Sequence, residues 1–173
     1  ETLKVEGIKS TYNKVMNKLD SLSPLGYSCS GVVVDVGQEI SRFQIGDQVA
    51  CAGADLANHA EYVSVPENLV THVPETVDLK HSSFTTIGCI ALQGVRQANA
   101  KLGESCVVIG LGLIGQITIQ LLKASGVNAI GIDIDNDMVD LAAKSGADLA
   151  LNRNTDNLVN IIKQKTRYGA DSV

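Results

Sequence analysis

The sequence predicts an α/β fold, a parallel sheet covered by helices on both faces, preceded by a mainly β region. Three observations carry that expectation. From residue 105 onward, apolar runs of strand length alternate with helical runs, the order that builds doubly wound parallel sheets. Between residues 31 and 66 there are instead short β-branched runs closed by Gly or Pro, as antiparallel strands and turns are. Between one apolar run and one helical run lies a glycine-rich turn, Gly110 to Gly115.

Taken in order, residues 3–22 place Ile8, Tyr12, Val15, Met16, Leu19 and Leu22 at spacings of three and four. That is an amphipathic helix, with Ser10 or Thr11 as cap and Pro24 beyond its end, and a docking helix is its simplest use. Three strands follow, on Val32-Val33-Val34, Gln48-Val49-Ala50 and Glu61-Tyr62-Val63-Ser64-Val65, with Gly37, Gly46-Asp47 and Pro66 as turns. After Pro74 a helical stretch covers residues 79–100 and stops at Gly103. The alternation then runs strand Cys106–Ile109, helix Leu113–Ser125, strand Ala129–Asp133, helix Asp137–Ser145, strand Asp148–Leu151, helix Asn154–Thr166, and a strand beginning at Asp171. The change from β to α/β falls between residues 75 and 105.

Composition narrows the function. Fourteen Lys and Arg against 19 Asp and Glu, a net charge of -5, exclude a dominant nucleic-acid surface, which depends on clustered cations. Aromatic residues are 3% with no Trp, so a base-stacking platform is excluded too. A hydrophobic content of 45% excludes disorder. The four cysteines, Cys29, Cys51, Cys89 and Cys106, form no C-x-x-C, which argues against a disulfide framework or zinc ribbon and for a reducing, cytoplasmic setting. Ser105 to Leu122 carries no charge, but Gly110, Gly112, Gly115, Gln116 and Gln120 divide it into strand, turn and helix rather than a membrane span. No basic-then-apolar signal opens the chain, and without an initiator Met it is expected to begin inside a longer gene product.

Gly110-Leu111-Gly112-Leu113-Ile114-Gly115 reads G-x-G-x-x-G. It follows the apolar run Cys106–Ile109 and opens the helical run Gln116–Leu122, the context in which the motif binds a dinucleotide. The first glycine permits the tight turn, the second lets a pyrophosphate reach the backbone, and the third lets helix and strand pack closely. Free N–H groups at the helix start supply the positive end. Asp133 ends the second strand, eighteen residues beyond Gly115. A carboxylate there accepts from ribose hydroxyls and repels a 2′-phosphate, which predicts NAD rather than NADP. A P-loop is excluded, because Gln116 and Ile117 stand where Lys and Ser or Thr are required. Asp135 reads as a turn residue or helix cap. The cofactor-binding candidates are therefore Gly110, Gly112, Leu113, Ile114, Gly115, Asp133 and Ile134.

Further marks lie upstream: Gly26 to Gly37 (GYSCSGVVVDVG), Gly46-Asp47-Gln48-Val49, Ala60-Glu61-Tyr62 before Val65-Pro66, and Gly103 before the glycine turn. In this order the chain resembles the medium-chain dehydrogenase/reductase superfamily, the zinc-type alcohol dehydrogenases and their relatives, over about residues 24–173. The nearest resemblance is to a branch with a long helical insertion, fused to a second oxidoreductase domain. It implies a helical insertion at 1–23, a partial GroES-like catalytic domain at 24–100, a partial Rossmann domain at 101–173, and substrate in the cleft between the two domains. Both domains are expected to be incomplete, so that the 173 residues alone bind the adenylate half of NAD weakly and turn nothing over.

In zinc-dependent members of that family the GYSCSG segment reads Gly-His-Glu-x-x-Gly, and its His binds the catalytic zinc. Tyr27 and Ser28 occupy the His and Glu positions here, Thr85 stands at a further Cys ligand position, and residues 1–25 contain no Cys. A catalytic zinc takes three protein ligands and keeps an open position, so the expectation is a metal-free enzyme of the quinone and enoyl reductase kind. Tyr27 then becomes the candidate proton or hydrogen-bond donor to a substrate carbonyl, or merely a lining side chain with a satisfied hydroxyl. His59 is the candidate proton relay, or an ordinary loop histidine. Thr85 and Thr86 resemble the helix that approaches the nicotinamide, with helix packing as their simpler use. His72 and His81 read as solvated, and Asp47 and Glu61 as structural. The expected partners are a small-molecule substrate, further copies in a homo-oligomer, and the fused domain. The function expected is NAD-linked oxidation or reduction of a carbonyl, alcohol or activated double bond; the alternative is a non-enzymatic NAD-binding sensor or scaffold.

Overall fold

The computed structural model describes residues 10–13, 16 and 24–173. Ser10 to Asn13 and Met16 are helical, and the rest of the helix expected over 3–22 lies outside the described residues. The chain divides into two compact units, residues 1–83 and 84–173.

In the first unit, β1 (Ser28–Val32), β2 (Gln48–Ala52) and β3 (Val70–His72) form an antiparallel sheet in that order. Side chains alternate across β1, as the two-residue period of a strand requires. On one face Cys29 packs with Phe43, Val49, Cys51 and Ala57. On the other, the Ser28 and Ser30 hydroxyls donate to the carbonyls of Ser83 (2.6 Å) and Leu79 (2.5 Å). These two bonds fasten β1 to α1 (Leu79–Ser82), whose first turn is capped by the Asp78 side chain accepting from the Lys80 N–H.

Two expected strands differ. The first ends at Val32 rather than Val34, although Val33 still donates to the Asp47 carbonyl at 2.9 Å. Glu61 to Val65 is irregular, and the third strand is Val70–His72, which pairs with Val49–Cys51. Alternation is a property of side chains, but a strand also needs a backbone partner. Among the described residues β2 gives its free edge to β3, and Glu61–Val65 instead lines an open groove of about 520 Å3. His72 consequently sits on β3, exposed as expected, with Nε2 2.9 Å from the Arg42 carbonyl and its ring 4.6 Å from that of Phe43.

The second unit begins with α2 (Thr85–Ala98), closed by Asn99 in the left-handed region. There follow β4 (Ser105–Ile109), α3 (Leu113–Ala124), β5 (Asn128–Asp133), α4 (Asn136–Lys144), β6 (Leu149–Asn152) and α5 (Leu158–Thr166). The strands form a parallel sheet in the order β4-β5-β6. On the opposite edge of β4, Ser172 makes a parallel bridge with Cys106, and its carbonyl accepts from Val107 N at 2.9 Å. The expected strand at Asp171 is thus present as a single bridge.

Both faces are covered. Leu111, Ile119, Leu122, Val127, Ala129 and Ala142 form one core, joined by Val95 of α2 and by Met138 and Val139 of α4. Val107, Ile130 and Ile132 form the other, against Leu158 and Ile162 of α5. The last helix starts at Leu158, not Asn154: Asn152 Oδ1 accepts from the Asn154 N–H, and Asn157 takes φ 58°. Asn side chains bond local backbone groups and tolerate the left-handed region, so this polar run makes a turn where periodicity alone suggests helix. No described helix is long and apolar enough to cross a membrane.

Candidate functional site

The strand order places one location apart from the rest. From β4 the chain moves outward through β5 and β6, then returns to the far side of β4 at Ser172. Such a reversal opens a crevice beyond the carboxyl end of the central strand, where α/β sheets bind ligands. The turn Gly110–Gly115 lies at that end of β4.

Each glycine has a distinct geometric reason. Gly110 adopts φ +92°, a left-handed conformation that lets the chain leave the strand, and its N–H donates to the Ile132 carbonyl at 2.8 Å. A Cβ at Gly115 would stand 2.0 Å from the Gly110 carbonyl oxygen, so only glycine lets α3 begin this close to the strand. A Cβ at Gly112 would meet nothing within 4 Å; that side of the turn is open. Gly112 caps α3 with no side-chain bond, leaving the first-turn N–H groups free of a capping side chain. Leu113 and Ile114 follow it, both exposed.

Asp133, at the end of β5, closes on this turn. Its Oδ2 accepts from the Leu111 N–H at 2.5 Å and its Oδ1 from the Asp135 N–H at 3.0 Å. Backbone N–H groups, that of Asp135 first and that of Leu111 next, hold its carboxyl below the ordinary carboxylate range. Asp133 is therefore an anion beside the turn at neutral pH. Ile134 beside it is exposed. Asp135 caps α4, accepting from the Asp137 N–H at 2.9 Å.

Two residues of this site went unassigned in the sequence. Gly131 lies in β5, where an added Cβ would come within 2.9 Å of Leu111 Cδ2; its absence leaves room for a Leu111 side chain with no exposure. Glycine inside a strand is a sign of close approach, so this one was available to sequence reasoning. Gln116 is buried in α3, and its Nε2 donates to the carbonyls of Leu111 and Met138, each at 2.9 Å. A Gln in an apolar helical run is a weaker sign, because its partners are fixed only by the fold.

In the first unit Tyr27 immediately precedes β1, with its side chain 42% exposed. The segment is pinned on both sides: the Leu25 carbonyl accepts from His59 N at 2.8 Å and the Tyr27 carbonyl from Gly53 N at 3.0 Å. Between them Gly26, at φ +93°, leaves its α-carbon bare against the His59 ring, since a Cβ would stand 2.5 Å from His59 Cδ2. His59 is thus held against Gly26, the residue before Tyr27, and both His59 and Tyr27 are exposed. Thr85 and Thr86 open α2 in the second unit, the first exposed and the second half-buried.

Two described side chains of the GYSC segment already have other partners. Ser28 commits its hydroxyl to the Ser83 carbonyl, and Cys29 faces Cys51 across the β1–β2 pair. Burial pushes the Cys51 thiol up to about 11, with Cys29 beside it adding to the shift. Among the described residues no group of three or more His, Cys, Asp or Glu side chains is placed to hold a metal ion.

Comparison with known proteins agrees with this architecture. The family model described as alcohol dehydrogenase GroES-like domain matches residues 5–75, and that described as zinc-binding dehydrogenase matches residues 114–173. D-guloside 3-dehydrogenase of Escherichia coli (strain K12) is 32% identical over 151 residues, covering 86% of this chain and 43% of its own length. The crystal structure of 2R,3R-butanediol dehydrogenase from Bacillus subtilis superposes with a TM-score of 0.78 at 26% identity, covering 88% of this chain and 52% of that one. Quinone oxidoreductase of Escherichia coli, solved in complex with NADPH, shares the fold at a TM-score of 0.70 and 22% identity, covering 92% of this chain and 51% of that one. The chain spans about half the length of the relatives it matches. Fold and glycine turn together define a Rossmann-like unit preceded by a GroES-like β unit. The chain belongs to the medium-chain dehydrogenase/reductase superfamily.

Proposed function

We propose that this chain is part of an NAD(H)-dependent oxidoreductase, zinc-independent, acting on a carbonyl, alcohol or activated double bond of a small molecule. The observation that carries the reading is the glycine turn at the reversal of strand order, with the Asp133 carboxylate bonded to it. The open side of Gly112 and the free start of α3 suit a pyrophosphate. Asp133 accepts from adenosine ribose hydroxyls and disfavours a 2′-phosphate, which selects NAD over NADP. Ile134 offers an apolar surface beside the ribose, and the family resemblance assigns Thr86 to the nicotinamide side. The dehydrogenase names of the relatives above support a redox role.

Nicotinamide, when bound, accepts or donates a hydride. This chain's residues then bind, orient and manage the proton. Tyr27 replaces the family's metal ligand and donates a hydrogen bond or proton to the substrate oxygen, the polarising task a zinc otherwise performs. His59, packed on Gly26 beside it, relays that proton to solvent. Thr85 offers a second hydroxyl to the substrate. The helical insertion, the GroES-like and Rossmann spans given above, a homo-oligomeric state, a fused second oxidoreductase domain and a cytoplasmic setting complete the proposal.

The test is an assay of the full-length protein with NADH and a panel of aldehydes, quinones and sugar-derived carbonyls. Turnover that survives a zinc chelator, and falls by about a hundredfold or more in Tyr27→Phe, supports the enzyme. Tight NADH binding with no turnover of any carbonyl class supports instead a non-enzymatic NAD-binding module, a reading favoured by the lost ligand positions at Tyr27 and Ser28. Stoichiometric zinc in the purified protein contradicts the metal-free chemistry.

A further inference from the structure

Leu111, inside the glycine turn, is held by both of its backbone groups. Its N–H donates to Asp133 Oδ2, and its carbonyl accepts from Gln116 Nε2. The other Nε2 proton of Gln116 goes to the Met138 carbonyl in the first turn of α4. That helix is capped by Asp135, whose own N–H donates to Asp133 Oδ1. The bonds close a ring that runs from the turn through Gln116, α4 and Asp135 to Asp133, and back to the turn.

We propose that Gln116 is a positioning residue: it sets the spacing between the pyrophosphate-facing turn and the Asp133 carboxylate, and thereby the discrimination against a 2′-phosphate. This rests on the reading that the turn binds a dinucleotide. The orientation of the amide is dictated by its neighbours, since the reverse orientation sets Oε1 against two carbonyl oxygens. Its Oε1 is buried and accepts nothing from the described residues, so what this side chain contributes is its pair of donors. Gln116 is 7% exposed, and bonds in such a site hold their geometry without competition from solvent. The Leu111 side chain is already lodged over Gly131, which leaves the tilt of its peptide groups as the freedom to be fixed. Asp133 fixes one end of residue 111 and Gln116 the other.

The experiment measures binding of ADP-ribose and 2′-phospho-ADP-ribose to the full-length protein and to Gln116→Met, Gln116→Glu and Asp133→Asn. Met matches Gln in length and has no donor. At pH 8 we expect wild type to prefer ADP-ribose, and Gln116→Met to lower that preference by about tenfold, because the Leu111 and Met138 carbonyls lose their shared donor. In Gln116→Glu the buried carboxylate faces the same carbonyls. Its affinity for ADP-ribose should rise as the pH is lowered from about 8 to about 5.5, where the protonated carboxyl regains one donor, with no matching rise in wild type. A lower Tm in both variants, with the preference unchanged and no such pH dependence, overturns the inference. If wild type binds neither probe, the dinucleotide reading falls and this inference with it. If Asp133→Asn collapses the preference while Gln116→Met leaves it intact, only the role of Gln116 is lost.

Discussion

The Asp133 carboxylate and the Leu111 backbone are joined by a 2.5 Å hydrogen bond that ties the end of β5 to the glycine turn after β4. Two parallel strands are thereby locked together where the strand order reverses. An anion and a row of helix N–H groups end up side by side, the pairing that separates a dinucleotide's ribose from its phosphates.

The charge of Asp133 is the first thing to change. Asp133→Asn keeps an oxygen that can accept from the Leu111 N–H but removes the repulsion of a 2′-phosphate. The full-length variant should fold with a somewhat lower Tm, because its amide can accept from only one of the Leu111 and Asp135 N–H groups, while its preference for NADH over NADPH falls by about tenfold or more. Fluorescence titration with both cofactors measures this.

The three glycines of the turn should respond differently to the same methyl group. Gly115→Ala drives a Cβ to 2.0 Å from the Gly110 oxygen, so strand and helix must part, at about 1–3 kcal/mol. Gly112→Ala meets nothing within 4 Å and has φ -65°, so stability should stay within about 0.5 kcal/mol. Its cost should fall on pyrophosphate binding instead. Thermal denaturation beside ADP-ribose titration separates the two effects.

Packing beneath the turn makes a further prediction. Gly131→Ala places a methyl 2.9 Å from Leu111 Cδ2, at a side chain with no exposure. Overpacking of that kind costs about 1–3 kcal/mol and should appear as a lower Tm. Because Leu111 carries the turn, affinity for ADP-ribose should fall with it.

Acid stability depends on a contact away from the site. Lys123 Nζ lies 2.7 Å and 2.8 Å from the two Asp148 oxygens, and Oδ2 also accepts from the Ala129 N–H at 2.8 Å. Burial works to raise the Asp148 carboxyl, but the hydrogen bonds of Lys123 and Ala129 and the charges of Lys123 and Lys165 outweigh it, leaving it below its ordinary value of 3.8. A depressed folded pKa contributes stability above the ordinary value, lost as pH falls through the folded one. Asp148→Asn should therefore cost up to about 1 kcal/mol at neutral pH, given the partial exposure of the pair. The difference from wild type should begin to shrink as pH falls below about 4 and vanish only once pH is below the depressed folded pKa, as denaturant melts across pH can show.

What the sequence conveyed depended on how local each signal was. The glycine turn, the strand before it and the acid after β5 are readable because spacing along the chain fixes them. Asp135 as a cap is readable for the same reason. Glu61 to Val65 alternates like a strand, yet the partner edge of β2 is taken by Val70–His72, and no local pattern announces which run wins. Gln116 and the bare face of Gly26 acquire meaning only when Met138 and His59 arrive from elsewhere in the chain. The side chains proposed for proton transfer share that difficulty, because Tyr27 was singled out by resemblance and His59 is brought against Gly26 by tertiary contacts.

The most direct measurement is equilibrium titration of the full-length protein with NADH and NADPH at low ionic strength. Binding of NADH at least about tenfold tighter than NADPH, lost with Gly115→Ala, is the result predicted. Equal or tighter binding of NADPH, or no binding of either cofactor, contradicts it.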